Sequence, residues 1–139
     1  MEQKKTIKLL IANDHEIVNR GVIMGLKKVT THIEIVGSAN NFEEIFTLLP
    51  QTLPDVLLTD DYMPPGDLFK LGPLLRQQYP NLKIIIHSMH TDTNYFKNLM
   101  PMGDGWVSMT SEIDEIIKAI ETVYCGGYFY YLKGYDKEL

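Results

Sequence analysis

The chain has 139 residues, 45% of them hydrophobic, which suits one packed core and leaves little room for a second domain. A formal net charge of −5 argues against this segment gripping nucleic acid by itself, because binding a phosphate backbone needs a basic face. A single cysteine excludes an internal disulfide framework, and the absence of any long apolar run or signal-peptide pattern in the sequence predicts a cytoplasmic protein without a membrane span.

Short apolar runs alternate with amphipathic stretches along the chain. The first strand candidate is IKLLIA (Ile7–Ala12), followed by a helix from Glu16 to Lys28 with Ile17, Val18, Val22 and Leu26 facing inward. IEIVGSA (Ile33–Ala39) is the second strand. Asn41 and Glu44 then have the spacing of a capping box ahead of Ile45, Leu48 and Leu49. DVLLTD (Asp55–Asp60) is the third strand. Asp67 is a plausible cap for the third helix, where Gly72-Pro73 predicts a kink or a restart. LKIIIHS (Leu82–Ser88) is the fourth strand, and a short helix from Asp92 should end near Pro101. GWVSM (Gly105–Met109) is the fifth strand, short enough to leave Trp106 half-exposed. Ser111 and Asp114 then open a helix with the stripe Ile113, Ile116, Ile117, Ile120 and Val123, stopped by Gly126-Gly127. Cys125, near that end, reads as a small buried hydrophobe. The domain is expected over residues 1–130, with 131–139 as the start of a linker or a frayed tail.

Five strand–helix pairs predict an α/β fold, a parallel sheet with helices on both faces. Three of the strands are nearly continuous aliphatic runs, as parallel strands covered on both faces require. In such sheets ligands bind beyond the carboxyl ends of the strands, where the strand order reverses. The first strand delivers Asn13, Asp14 and His15 to that edge; the third delivers Asp60, Asp61 and Tyr62; the fourth delivers Ser88 and the fifth Met109. Hard oxygen ligands from two strands suit Mg²⁺, and a carboxylate beside a metal can act as a nucleophile toward a phosphoryl group. The plainer alternative is that Asp14 and Asp60 are helix caps or loop solubilisers. His15 and His90 read as loop histidines, having no ligand partner at helical spacing.

The strings IANDHEIVNRGV, DVLLTDDYMPPGD and KIIIHSMHTD, in order and on the right elements, resemble receiver domains of two-component response regulators of the NarL/FixJ (LuxR) type. The resemblance covers residues 6 to about 130. It implies a doubly wound, flavodoxin-like five-stranded parallel sheet of strand order 2-1-3-4-5. It further implies that Asp60 is the phosphoacceptor. Asp14 would ligate Mg²⁺ directly and the backbone carbonyl of Tyr62 would join it. Ser88 would be the switch hydroxyl and Trp106 the switch aromatic. A sensor histidine kinase would supply the phosphoryl group. An effector domain or partner protein would read the signal, in this type transcription through a C-terminal helix-turn-helix domain absent from these residues.

Three positions depart from the family pattern. Asn13 stands in place of the first acid; it could reach a metal only through water, so Mg²⁺ should bind more weakly unless Asp61 turns inward to compensate. Met109 stands at the usual lysine, and an apolar thioether cannot neutralise an acidic pocket. The loop LMPMGDGW is one residue shorter than the family form and carries Pro101, which should reshape the readout surface. The alternative function is thus a degenerate or stand-alone receiver acting by protein contact without phosphorylation. An enzyme reading, a phosphatase with an Asp nucleophile, wants a second Asp where Tyr62 stands and an acidic first strand. A cobalamin-binding module wants a spacing that Asp14-His15 lacks. The tyrosine-rich run Tyr128, Phe129, Tyr130, Tyr131 and Tyr135 reads as a homodimer or interdomain contact, or as a fold-back over the last helix.

Overall fold

The computed structural model describes residues 5–89 and 93–131. The elements run β1 (Ile7–Ala12), α1 (Glu16–Val29), β2 (Ile33–Ala39), α2 (Phe42–Thr52), β3 (Val56–Thr59), β4 (Tyr62–Met63), β5 (Gly66–Asp67), α3 (Leu68–Gln78), β6 (Lys83–Ser88), α4 (Thr93–Leu99), β7 (Gly105–Ser108), α5 (Ile113–Tyr124) and β8 (Phe129–Tyr131). The main sheet is parallel throughout, in the order β2-β1-β3-β6-β7-β8. Its first five strands stand in the expected 2-1-3-4-5 order. The sixth, β8, is an addition: part of the tyrosine-rich run pairs beside β7, with Trp106 in register with Tyr130. Tyr135 and the rest of the tail lie outside the described residues.

The pleat sends successive side chains to opposite faces, and each face has its own core. Leu10, Leu57, Ile84, Ile86 and Trp106 pack against α2, α3 and α4. Leu9, Ile11, Leu58, Ile85 and Val107 pack against α1 and α5. Each fully buried aliphatic side chain contributes about 1.5–3 kcal/mol, so both layers of helices are tied firmly to the sheet.

Several local expectations change. The third helix runs unbroken through Pro73, with Asp67 as its cap accepting from Lys70 N at 3.0 Å. Gly72, lacking a Cβ, relieves part of the clash with the following proline and lets the helix press onto Met102, while α2 likewise continues past an internal Pro50 that follows Leu49. The box opening α5 sits one residue later than expected, between Glu112 and Glu115. Ile17 points outward, 85% exposed, while Val22 and Leu26 are buried. Cys125 is exposed, because it caps α5 one residue past the last inward turn. Trp106 is only 1% exposed, its indole set in the core layer against which Tyr130 also packs. α4 passes into a single 3-10 turn, Met100–Met102, around Pro101; Asp92 and His90 lie outside the described residues. None of the described helices is long and apolar enough to cross a membrane.

Candidate functional site

The carboxyl ends of β1 and β3 lie side by side, with Ala12 paired to Thr59 and the Asp60 amide donating to the Ala12 carbonyl at 3.0 Å. Sheet registry therefore puts Asn13 and Asp60 next to each other at the rim, where the strand order turns from β1 outward to β2 and β3. Ser88, almost fully buried, ends the next strand over and is in register with Ser108.

The loop after β1 is held from three sides. Asn19, buried one turn into α1, donates through Nδ2 to the carbonyls of Asn13 and Ala39, both at 3.0 Å, and Asn40 Nδ2 donates to the Asn13 carbonyl at 3.2 Å. The buried Asn13 side chain is committed as well. Its Oδ1 accepts from the His15 amide at 2.8 Å, and its Nδ2 faces the Met109 sulfur at 3.8 Å. Asp14 places its Oδ1 3.0 Å from the His15 ring. Motif spacing in the sequence misses Asn19; a polar amide inside a helix, where it competes with the backbone, is the signal that could have found it.

The loop after β3 is shaped by the β4–β5 hairpin, whose turn contains the cis Pro64-Pro65 bond. The Leu68 amide donates to the Asp61 carbonyl at 2.9 Å. Asp60 is largely buried, and the Tyr62 amide lies 3.4 Å from its Oδ1. The Tyr62 ring is exposed. Burial first, then the hydrogen bond and the negative charge of Asp61, push the Asp60 carboxyl up to about 7. Asp61 is 1% exposed and accepts a hydrogen bond from the Tyr95 hydroxyl of α4. Tyr95 in turn meets Phe69 of α3 edge-on, ring centres 5.5 Å apart. No spacing rule singles out Tyr95, because its contact with Asp61 spans 34 residues.

The donor set suits a divalent cation: Asp60 and Asp61 would offer hard carboxylate oxygens, the Tyr62 carbonyl is two residues on from Asp60, and Mg²⁺ would complete its shell with water. Among the described residues no three acidic, His or Cys side chains are already gathered as a ligand cluster, consistent with Asp14 turning toward His15. Met109 is half-buried beside Asn13 and brings no charge.

Comparison with known proteins gives the family and the fold. Residues 9–121 match the response regulator receiver domain family. The oxygen regulatory protein NreC of Staphylococcus carnosus is 32% identical over 123 residues, 86% of this chain and 56% of that protein. The transcriptional regulatory protein MctR of Rhizobium johnstonii is 29% identical over 131 residues, 94% of this chain and 61% of that protein. The chain thus spans little more than half the length of these relatives. The non-phosphorylated receiver domain of the stress response regulator RcsB from Escherichia coli shares the fold, with a TM-score of 0.85 at 24% identity, over 91% of this chain and 99% of that one. The chain belongs to the receiver-domain family of two-component response regulators.

Proposed function

We propose that this receiver takes a phosphoryl group on Asp60 from a sensor histidine kinase, with Mg²⁺ in the crevice, and passes the change to an effector domain or partner protein. The observation that carries the reading is the buried Asp60 carboxyl at the end of β3, within the stretch that matches the family. One Asp60 oxygen attacks phosphorus as the bond to the donor breaks, and the leaving group keeps the bonding electrons. The attack needs the ionised carboxylate. Burial and Asp61 raise its pKa to about 7, which favours the protonated form relative to an ordinary carboxyl. A divalent cation held beside Asp60 would supply positive charge that favours the ionised carboxylate and offsets charge on the phosphoryl oxygens. Asp14 would hold the ion from the β1 side, and Asn13 would do so through water. Ser88, at the end of β6, is the hydroxyl that meets the acylphosphate. Trp106, packed with Tyr130, is the aromatic that follows its movement.

Incubation with Mg²⁺ and acetyl phosphate followed by intact-mass measurement tests this. The expected result is a gain of one phosphoryl group, absent in Asp60→Ala. A second reading, a receiver acting by contact alone, is favoured by Met109 at the lysine position. No labelling of the wild type, with clear labelling of Met109→Lys, would establish that reading.

A further inference from the structure

We propose that Asn19, one turn into α1, is the positioning residue for the β1 side of the crevice: its buried amide holds the peptide that joins Asn13 to Asp14, and so sets where the Asp14 carboxyl stands. The proposal rests on the receiver reading above and adds to that site a residue that touches neither the ion nor Asp60. It starts from the cost of keeping an asparagine there. Asn19 is 2% exposed in the body of a helix, where a short amide competes with the backbone. Its Oδ1 is buried without a hydrogen-bond partner among the described residues, a desolvation cost that an apolar side chain of similar shape would avoid. The helix does not need the side chain either, since the Asn19 backbone amide bonds to the His15 carbonyl at 3.3 Å.

What the side chain does is donate twice. Its Nδ2 lies 3.0 Å from the Asn13 carbonyl and 3.0 Å from the Ala39 carbonyl. Ala39 ends β2, and its carbonyl also accepts from the Asn13 amide at 3.0 Å. The Asn13 carbonyl belongs to the peptide that leads into Asp14, and it accepts as well from Asn40 Nδ2 at 3.2 Å. The main chain of Asn13 is therefore held at both its N–H and its C=O. Its side-chain oxygen, accepting from the His15 amide at 2.8 Å, holds the turn on the far side of Asp14. Asp14 thus hangs between two fixed peptides, in the loop that sheet registry places beside Asp60.

A carboxylate meant for a metal must be presented within about 0.5 Å of its working place, and supporting hydrogen bonds are what give that precision. A loop whose backbone groups are already bonded also loses little freedom when a ligand arrives. Asn19 supplies the part of this support that comes from α1, and it ties the end of β1 to the end of β2 through one nitrogen.

Mn²⁺ binding to the 139-residue chain, read from the electron paramagnetic resonance of the free ion, tests the assignment without requiring phosphorylation. Asn19→Leu keeps the branched shape and removes both donations; it should weaken binding about 10-fold, as loss of an outer-shell partner does. In an Asp14→Asn background it should add nothing, because its effect runs through Asp14. Gly72→Ala, which crowds Met102 from α3, is the control for lost stability and should keep wild-type affinity. Urea midpoints separate the two effects. A purely structural Asn19 predicts a lower midpoint with wild-type affinity in the folded Asn19→Leu protein, and that result overturns the proposal. An equal loss in Gly72→Ala, or an undiminished Asn19→Leu effect beside Asp14→Asn, overturns it as well. Should Asn19→Leu fail to fold, Asn40→Ala at an exposed position removes the second donor to the same carbonyl; binding about 2–3-fold weaker is expected, and wild-type affinity refutes the assignment. Each of these failures leaves the receiver reading intact, whereas no Mn²⁺ binding by the folded wild type at millimolar metal would sink both.

Discussion

His87 gives this domain a built-in sensitivity to acid that can be worked out in advance. The residue lies on the α1–α5 face of β6, in register with Val107, and is 5% exposed. Its Nε2 has no hydrogen-bond partner among the described residues. Burial lowers its pKa to about 4, only partly opposed by the Ser108 backbone. The unfolded chain takes up the proton near the ordinary value of 6.5, so between 6.5 and about 4 the unfolded state binds more protons. The stability present above pH 6.5 is therefore lost as pH falls through that window. A tenfold difference in proton affinity between the folded and unfolded chain corresponds to about 1.4 kcal/mol. The loss attributable to His87 is thus about 2.5 kcal/mol at pH ~4.5 and approaches about 3.4 kcal/mol below pH 4. Urea unfolding of the metal-free wild type and of His87→Leu, compared between about pH 7.5 and 4.5, isolates the effect, because all other titrating groups are common to both. The variant's stability should fall less by about 2.5 kcal/mol over that range. Parallel curves for the two proteins would refute the reasoning.

Two further perturbations test the parts of the fold that frame the site. Arg76 pairs with Asp104 at 2.6 Å and donates to the Leu82 carbonyl at 2.8 Å, while Asp104 also accepts from the Ile84 amide. Arg76→Met should cost about 2–3 kcal/mol in urea unfolding, below the range for a fully buried pair because Arg76 is a quarter exposed; a loss under about 0.5 kcal/mol would show the pair to be ornamental. Gly72→Ala places a Cβ 2.6 Å from the Met102 sulfur and 3.2 Å from the Met102 Cβ. Despite the better helix propensity of alanine it should destabilise by about 1–2 kcal/mol, and a rise in the melting temperature would show that Met102 simply swings aside.

The chain-level organisation is legible in the sequence because it depends on period and order. Aliphatic runs alternating with amphipathic stretches admit few arrangements other than a parallel sheet wrapped by helices, and the acids past the first and third strands fall where such sheets place their sites. What escapes has a common physical cause. β8 is three residues after a pair of glycines, too short for any periodic signal, and it exists because β7 offers an edge to pair with. Helical spacing turns Ile17 inward, but α1 is amphipathic over a narrower arc than that spacing assumes. Pro73 reads as a break because the rule for proline is local, whereas α3 and α2 both run through an internal proline, Pro73 and Pro50, under the packing of the helices on the sheet. In the site, Asp61 lies in plain view as a residue, but its hydrogen bond with Tyr95 spans 34 residues, and a contact of that range leaves no mark in local sequence.

In the sequence Asn13 and Met109 read as separate defects, one removing a negative charge and the other a positive one. The structure brings them into contact, the amide nitrogen 3.8 Å from the sulfur, and this alters their meaning. Against the family pattern of an acid and a lysine, the two exchanges cancel in net charge and leave a neutral, mutually compatible pair. Losing the lysine alone would strand an acid in a half-buried place; losing the acid alone would strand an ammonium. Made together, they leave an uncharged amide–thioether contact between the residues that follow β1 and β7. The two departures therefore read as one compensated exchange rather than as two separate losses.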